Sequence, residues 1–394
     1  MRVAHIITRM IIGGAQENTL YNCSDLIEQY GDDVILITGP SEGPEGQLLE
    51  KGRVGEVPVH LIPAFRRPIS PQDLSAYRSL QKVIRDFRPD VVHTHSAKAG
   101  FLGRAAAWNL QVPAIVHTVH GAPFHPYQKL VARLLFIRLE RWAAHRCHHM
   151  ICVADAMTDL MVNAHVAPRS KFTTIYSGMD VRPLLNCNQF RQSSRKELGF
   201  SDSQIVVGKI ARFFHLKGHQ YLIEAARKAV VENSKIHFLL VGDGILRSSL
   251  EAKVQDYGLQ DHFSFTGLVP PERIPYYLSS MDVLVHASLR EGLARTLPQA
   301  LISGLPVVSY DIDGAREVVI DGQTGRLLPP ESIEEMASAI IQLAGDSEMR
   351  QRLGQGGASR FTQQFDHQFM TRRVRDLYLQ LLSNQCVHEE KVGS

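Results

Sequence analysis

Apolar residues in this chain follow two spacings that alternate. Short continuous runs occur at "VAHIIT" (3–8), "VILIT" (34–38), "VHLIP" (59–63), "VVHTH" (91–95), "AIVHTVH" (114–120), "MICVA" (150–154) and "FTTIY" (172–176). Between them lie longer segments of helical period, from about Ala15 to Gln29, Asp73 to Phe87, near 98–110 and near 126–146. Strands alternating with helices predict a parallel sheet covered on both faces. The pattern then restarts with "IVVGKIAR" (205–212), "IHFLLVG" (236–242), "HFSFTG" (262–267), "VLVHAS" (283–288) and "PVVSY" (306–310).

The stretch between the two series, 177–194, is polar and weakly periodic and marks a boundary. The chain therefore reads as α/β, with two doubly wound Rossmann-like domains facing a cleft. Residues 1–180 form the N-terminal domain and 181–360 the C-terminal one. Helical pattern near 357–383, with no strand after it, predicts a helix in 361–394 that returns towards the N-terminal domain, followed by a tail. Open parallel sheets bind ligands beyond the carboxyl ends of their strands, at the point where strand order reverses. Residues just past strand ends are thus the first candidates for function.

Length and composition narrow the class. A chain of 394 residues exceeds one ordinary core. The net charge of +3 gives no concentrated basic face for nucleic acid, yet tolerates a local phosphate site. Cys23, Cys147, Cys152, Cys187 and Cys386 follow no disulfide framework, which suits reduced thiols in a cytosolic protein. The apolar N-terminus is interrupted by His5, Thr8 and Arg9 and fits a first strand better than a signal peptide. No apolar run reaches the roughly 18 residues of a membrane span.

Several strand exits carry chemistry. Gly13 and Gly14 leave the first strand and open a helix, an arrangement that suits a close-approaching anion or a plain tight turn. Arg212 and Lys217 bracket the first strand exit of the second domain, where a guanidinium fork and an ammonium suit a diphosphate. "LLVGDGILRSSL" (239–250) offers half a dinucleotide fingerprint, with Arg247 in the third glycine position. A turn with Asp243 as helix cap accounts for it better. Glu291 lies just past a strand end, and Gly292, Leu293, Ala294 and Arg295 lead into a helix. A carboxylate and a row of N–H groups there suit sugar and phosphate oxygens.

The histidines divide. His120 stands at the mouth of its strand, while His117, three residues earlier, faces the other way. His93 and His95 share one strand face, but no third metal ligand is evident in sequence. "RCHHMIC" (146–152) matches no zinc spacing. The helix near 126–146 carries Arg138 and Arg141 within its apolar sector, which predicts a mostly buried helix and leaves weak peripheral membrane contact open.

In this order, the glycine pair, "VHTHSAKAG", "HTVHG", the Arg212–Lys217 pair, "GLVPPERIPYYLSSMD", the stretch from Glu291 and "DGAREVVIDGQTGRLL" resemble the GT-B glycosyltransferases of the retaining, nucleotide-sugar-dependent family-4 type. The resemblance spans almost the whole chain. It implies that Gly14 meets the donor diphosphate, that Arg212 and Lys217 neutralise it, and that backbone at Val269 reads the base. It further implies that His120 and Glu291 contact the donor sugar and that Gln299 takes the ribose position. Gln299 departs from the family's second glutamate, though its carbonyl still accepts a hydrogen bond. Ala294 and Thr296 replace a glycine and a proline.

The implied activity is hexose transfer, with retention, from a nucleoside diphosphate sugar such as a UDP-sugar to a hydroxyl acceptor. Neither metal nor cofactor is expected. The implied setting is cytoplasmic, on the inner membrane face if the acceptor is a lipid-linked glycan, with the acceptor near His95, Lys98 and the 121–130 loop. Domain closure over the donor follows as an expectation. A nucleotide-sugar epimerase, a non-catalytic partner subunit and an NAD-dependent oxidoreductase stay as alternatives.

Overall fold

The computed structural model describes residues 1–41, 48–49, 57–66 and 68–392, with side chains described as far as Asn384. The chain divides into two compact units. One comprises Met1–Met179 with the chain from Phe365 onward, the other Asp180–Gln364.

In the first unit all seven apolar runs form strands. They are β1 (Arg2–Arg9), β2 (Asp33–Gly39), β3 (Val59–Leu61), β4 (Val91–His95), β5 (Ala114–Val119), β6 (His149–Cys152) and β7 (Phe172–Thr174), ordered β3-β2-β1-β4-β5-β6-β7. Every pairing is parallel. β4 and β5 are buried along their whole length, which explains why their sequences run apolar instead of alternating. Strand order reverses between β1 and β4, which sets His5 opposite His93.

The second sheet contains β8 (Ile205–Ile210), β9 (Ile236–Val241), β10 (Phe263–Phe265), β11 (Val283–His286), β12 (Val307–Tyr310) and β13 (Gly325–Leu328), ordered β10-β9-β8-β11-β12-β13 and again parallel. β13 was not expected, because "GRLL" is short and Arg326 interrupts its apolar pattern. Strand order reverses here between β8 and β11.

The helical stretch at the C-terminus is broken where one helix was expected. Ser347–Phe361 ends, and a new helix runs over His367–Val392. Asp366 makes the break, since its carboxylate accepts the amides of Gln368 and Phe369 and starts the new helix. The amide of Met179 donates to the carbonyl of Phe365 at 2.8 Å, so the chain re-enters the first unit at this point. The final helix packs along Gly14–Tyr30. Asp25 takes the Thr371 hydroxyl and lies 2.8 Å from His367, and Asp32 pairs with Arg375 at 2.9 Å.

The helix expected near 126–146 spans Leu130–Ala144 and is not mostly buried. Leu130, Val131, Leu134, Leu135 and Trp142 are exposed beside Arg138 and Arg141. Its inner face is fixed by a buried ion pair, Glu140 with Arg104, at 2.8 Å. Of the cysteines, Cys386 lies outside the residues with described side chains. Burial pushes the other four thiols up, Cys152 to about 12, as befits inert core residues.

One core position breaks the apolar rule. Lys209, in the middle of β8, is 1 % exposed, and its Nζ has no hydrogen-bond partner. Burial, reinforced by the charge of Lys217, lowers its ammonium to about 7. The unfolded chain then binds more protons than the native one between about pH 7 and 10.5, so this residue's cost falls as pH rises through that window. Lys209→Met should therefore raise stability at pH 7 by on the order of a few kcal/mol, with the gain shrinking towards pH 10. Thermal melts of both proteins at the two pH values check this, and a variant less stable than wild type at pH 7 contradicts it.

Candidate functional site

The second unit brings its two central strand exits together. After β8 the chain passes Arg212, Phe214 and Lys217 before the helix His219–Glu232. Leu216 is held in the left-handed region at φ 65°, a conformation that costs a non-glycine residue strain and often marks function. Gly218 is left-handed as well, and a Cβ there would meet the Ala287 carbonyl oxygen at 1.8 Å. Only glycine lets the β11 exit pass so close. The amide of Leu289 then donates to the Leu216 carbonyl at 2.8 Å, locking the two loops.

This interlock places Lys217 Nζ 2.5 Å from Glu291 Oε1. Burial alone would raise the Glu291 carboxyl, but the Lys217 ammonium outweighs it and holds the group well below the usual carboxylate range. His286 Nε2, at the end of β11, stands 3.6 Å from the same oxygen, beyond hydrogen-bond length. Behind the loop, Asp313 adopts φ 45° and accepts the Glu291 amide at 2.6 Å, while the Gly314 amide donates to the Gly292 carbonyl. Among the described residues, the amides of Gly292, Leu293 and Ala294 donate to no group of the chain. Gln299 lies within the helix Thr296–Ile302 that follows.

Arg212 is exposed, with its guanidinium carbon 5.2 Å from the centre of the Phe214 ring. Its loop is shaped by the half-fingerprint glycines. A Cβ on Gly242 would meet the Ala211 carbonyl oxygen at 2.1 Å, and one on Gly244 the Phe213 oxygen at 2.6 Å. These glycines therefore serve packing against the β8 exit. Asp243 does not cap a helix as expected. It accepts the Gly244 amide and pairs with Arg247 at 2.9 Å, and the helix begins at Arg247 with Leu246 in the cap position. Val269 follows Gly267, whose carbonyl accepts the Gly242 amide.

In the first unit His120 follows β5 and is half-buried. Its Nε2 lies 3.1 Å from His95 Nδ1, and His95 Nε2 lies 3.0 Å from His5 Nδ1. His93 bonds Tyr378 of the final helix at 2.5 Å and Thr118 at 2.7 Å. A third imidazole, His5, thus stands beside His93 and His95, which the sequence did not reveal. Both ring nitrogens of His93 and of His95 are committed to protein partners, so the trio does not fit a metal centre without breaking those bonds. Burial lowers all three imidazoles, His5 to about 3, and keeps them neutral. His117 turns the other way, bonding Thr94 and lying under Gly100.

One expectation for the acceptor region fails here. His95 has no exposed surface and cannot touch an acceptor. Lys98 is tied to Asp73 at 2.6 Å. Gly14 opens the helix Gly14–Tyr30 beyond β1, with Gly13 in the cap position. Sequence reasoning passed over Lys209, His286 and Asp313. A strand-end position was the available signal for His286, and Asp313 heads a motif that was noticed for its resemblance alone.

The model for "Glycosyltransferase Family 4" matches residues 12–182, and that for "Glycosyl transferases group 1" matches residues 190–360. An Escherichia coli UDP-Gal:alpha-D-GlcNAc-diphosphoundecaprenol alpha-1,3-galactosyltransferase is 28% identical over 393 residues, covering 98% of each chain. The capsular polysaccharide biosynthesis glycosyltransferase CapM of Staphylococcus aureus is 22% identical and covers 81% of this chain and 84% of its own. Among solved structures, Anabaena HepE in complex with UDP-glucose superposes with a TM-score of 0.80 at 21% identity, covering 96% of this chain and 99% of HepE. WaaG, a lipopolysaccharide-biosynthesis glycosyltransferase, gives 0.70 at 17%, covering 95% and 99%. With its two halves matched in order by the two models, this chain belongs to the GT-B glycosyltransferases of the family-4 and group-1 type.

Proposed function

We propose that the protein transfers a hexose from a UDP-sugar to a hydroxyl of a lipid-linked glycan, with retention at the anomeric carbon. The observation that carries this reading is the Lys217–Glu291 pair at the point where the second sheet reverses its strand order. A cation and a carboxylate side by side match the two charges that develop during transfer. As the glycosidic C–O bond breaks, negative charge grows on the β-phosphate and positive charge on the sugar. Lys217 and Arg212 stabilise the first, aided by the amides of Gly292–Ala294. Glu291 accepts hydrogen bonds from the sugar hydroxyls.

The remaining assignments follow the family pattern. Gly14 offers backbone to the diphosphate, His120 meets the donor sugar, Gln299 accepts from the ribose, and backbone at Val269 reads the base. With two cations at the diphosphate, the reaction as proposed needs no metal. The leaving phosphate oxygen takes the acceptor proton on the same face, which gives retention without a second carboxylate. A UDP-linked donor is favoured by the UDP-glucose complex of HepE, and a lipid-linked acceptor by the printed name of the Escherichia coli relative.

Such an acceptor lies at a membrane. No helix among the described residues is long and apolar enough to cross one. The exposed Leu130, Val131, Leu134, Leu135 and Trp142, with Arg138 and Arg141 beside them, form an apolar and basic face suited to peripheral contact with an anionic bilayer.

Lys217→Ala should lower turnover about a hundredfold or more with the fold retained by circular dichroism. Turnover equal to wild type removes the diphosphate role, and a chelator should leave wild-type turnover unchanged. Leu134→Asp combined with Leu135→Asp should reduce sedimentation with anionic vesicles while leaving UDP binding intact. Equal sedimentation removes the membrane contact.

A further inference from the structure

We propose that Lys209 is a third cation of the donor site, switched by occupancy: an amine while the site is empty, an ammonium once a nucleoside diphosphate lies against Lys217. This rests on the diphosphate assignment above and adds one residue and one proton to it.

The reason is a missing counter-charge. Lys209 is almost wholly buried, and its Nζ has no partner, whereas buried cations are ordinarily paired. The groups that act on it or feel it are Lys217 from the β8 exit, His219 from the first turn of the next helix, His286 from the end of β11 and Glu291 beyond it. On its other side β9 sets Leu240 in register with Lys209 and adds no charge. Burial keeps both histidines neutral, so the charged neighbours are Lys217 and Glu291, and that carboxylate is already bound by Lys217 at 2.5 Å. Asp313, the next carboxylate along, is engaged by the Glu291 amide. An ammonium at Lys209 therefore has no carboxylate left to pair with.

A diphosphate supplies that counter-charge. Negative charge entering a buried pocket favours the protonated form of a nearby amine. Lys209 then takes one proton from the buffer, becomes an ammonium, and adds its charge to those of Lys217 and Arg212. The same charge is in place when the sugar bond breaks and the β-phosphate becomes more negative. When the nucleoside diphosphate leaves, the proton returns to the buffer. A lysine that costs the fold stability in this position is a candidate for function for that reason.

The test is calorimetric titration of the full-length protein with UDP near pH 8, in buffers of different ionisation enthalpy. The wild type should take up between about half a proton and one proton per UDP, and its affinity should fall by up to about tenfold per pH unit between pH 7 and 9. Lys209→Met and Lys209→Gln should bind UDP with no buffer-dependent heat and with affinity that is flat over that range. A purely structural role for Lys209 would not change the proton count. Wild-type binding without net proton uptake overturns the switch, as does uptake that persists in both variants. Failure of the wild type to bind UDP at all contradicts the donor assignment itself, which separates the two claims.

Discussion

The contact on which the chemistry proposed for the second unit depends is the ion pair between Lys217 and Glu291. It joins the exits of β8 and β11, the two strands between which the sheet reverses its order. The local backbone is bent to make it. Leu216 and Asp313 occupy left-handed conformations, and Gly218 admits the Ala287 carbonyl where a side chain would collide. Strain of this kind persists only where surrounding structure holds it, and here it holds charges in place before any substrate arrives. A preorganised charge stabilises a developing one without paying for reorganisation during the reaction.

The same design explains an otherwise costly interior. An unpaired lysine in a central strand is a poor choice for stability. Beside a pair that already satisfies its only carboxylate, it makes sense if the missing counter-charge comes with the substrate. The first unit takes the opposite course. His5, His93 and His95 are kept neutral by burial, and both ring nitrogens of His93 and His95 are bonded, whereas His5 bonds through Nδ1 and leaves Nε2 without a partner among the described residues. That cluster fastens His120 to β4 and the final helix to the sheet.

Much of this was legible in sequence, for physical reasons. Parallel strands buried on both faces are written as continuous apolar runs, so twelve of the thirteen strands stood out, and β13 did not because Arg326 interrupts it. Arg212, Lys217 and Glu291 were legible because polar residues just past such runs have few structural reasons to be there. Lys209 was hidden inside an apolar run. His5 joins His93 only through strand order, and Asp313 meets Glu291 across a separation of 22 residues. The helix Leu130–Ala144 was misjudged because periodicity gives the apolar sector of a helix without saying whether anything covers it. The break at Asp366 was missed because a cap inside a helical pattern is a matter of one side chain.

The most direct measurement is a crystal structure of the protein soaked with UDP. The account predicts the diphosphate at the carboxyl ends of β8 and β11, with Lys217 and Arg212 both within hydrogen-bond distance of its oxygens. A nucleotide bound elsewhere, with Lys217 still closed on Glu291 and Arg212 turned to solvent, would contradict it.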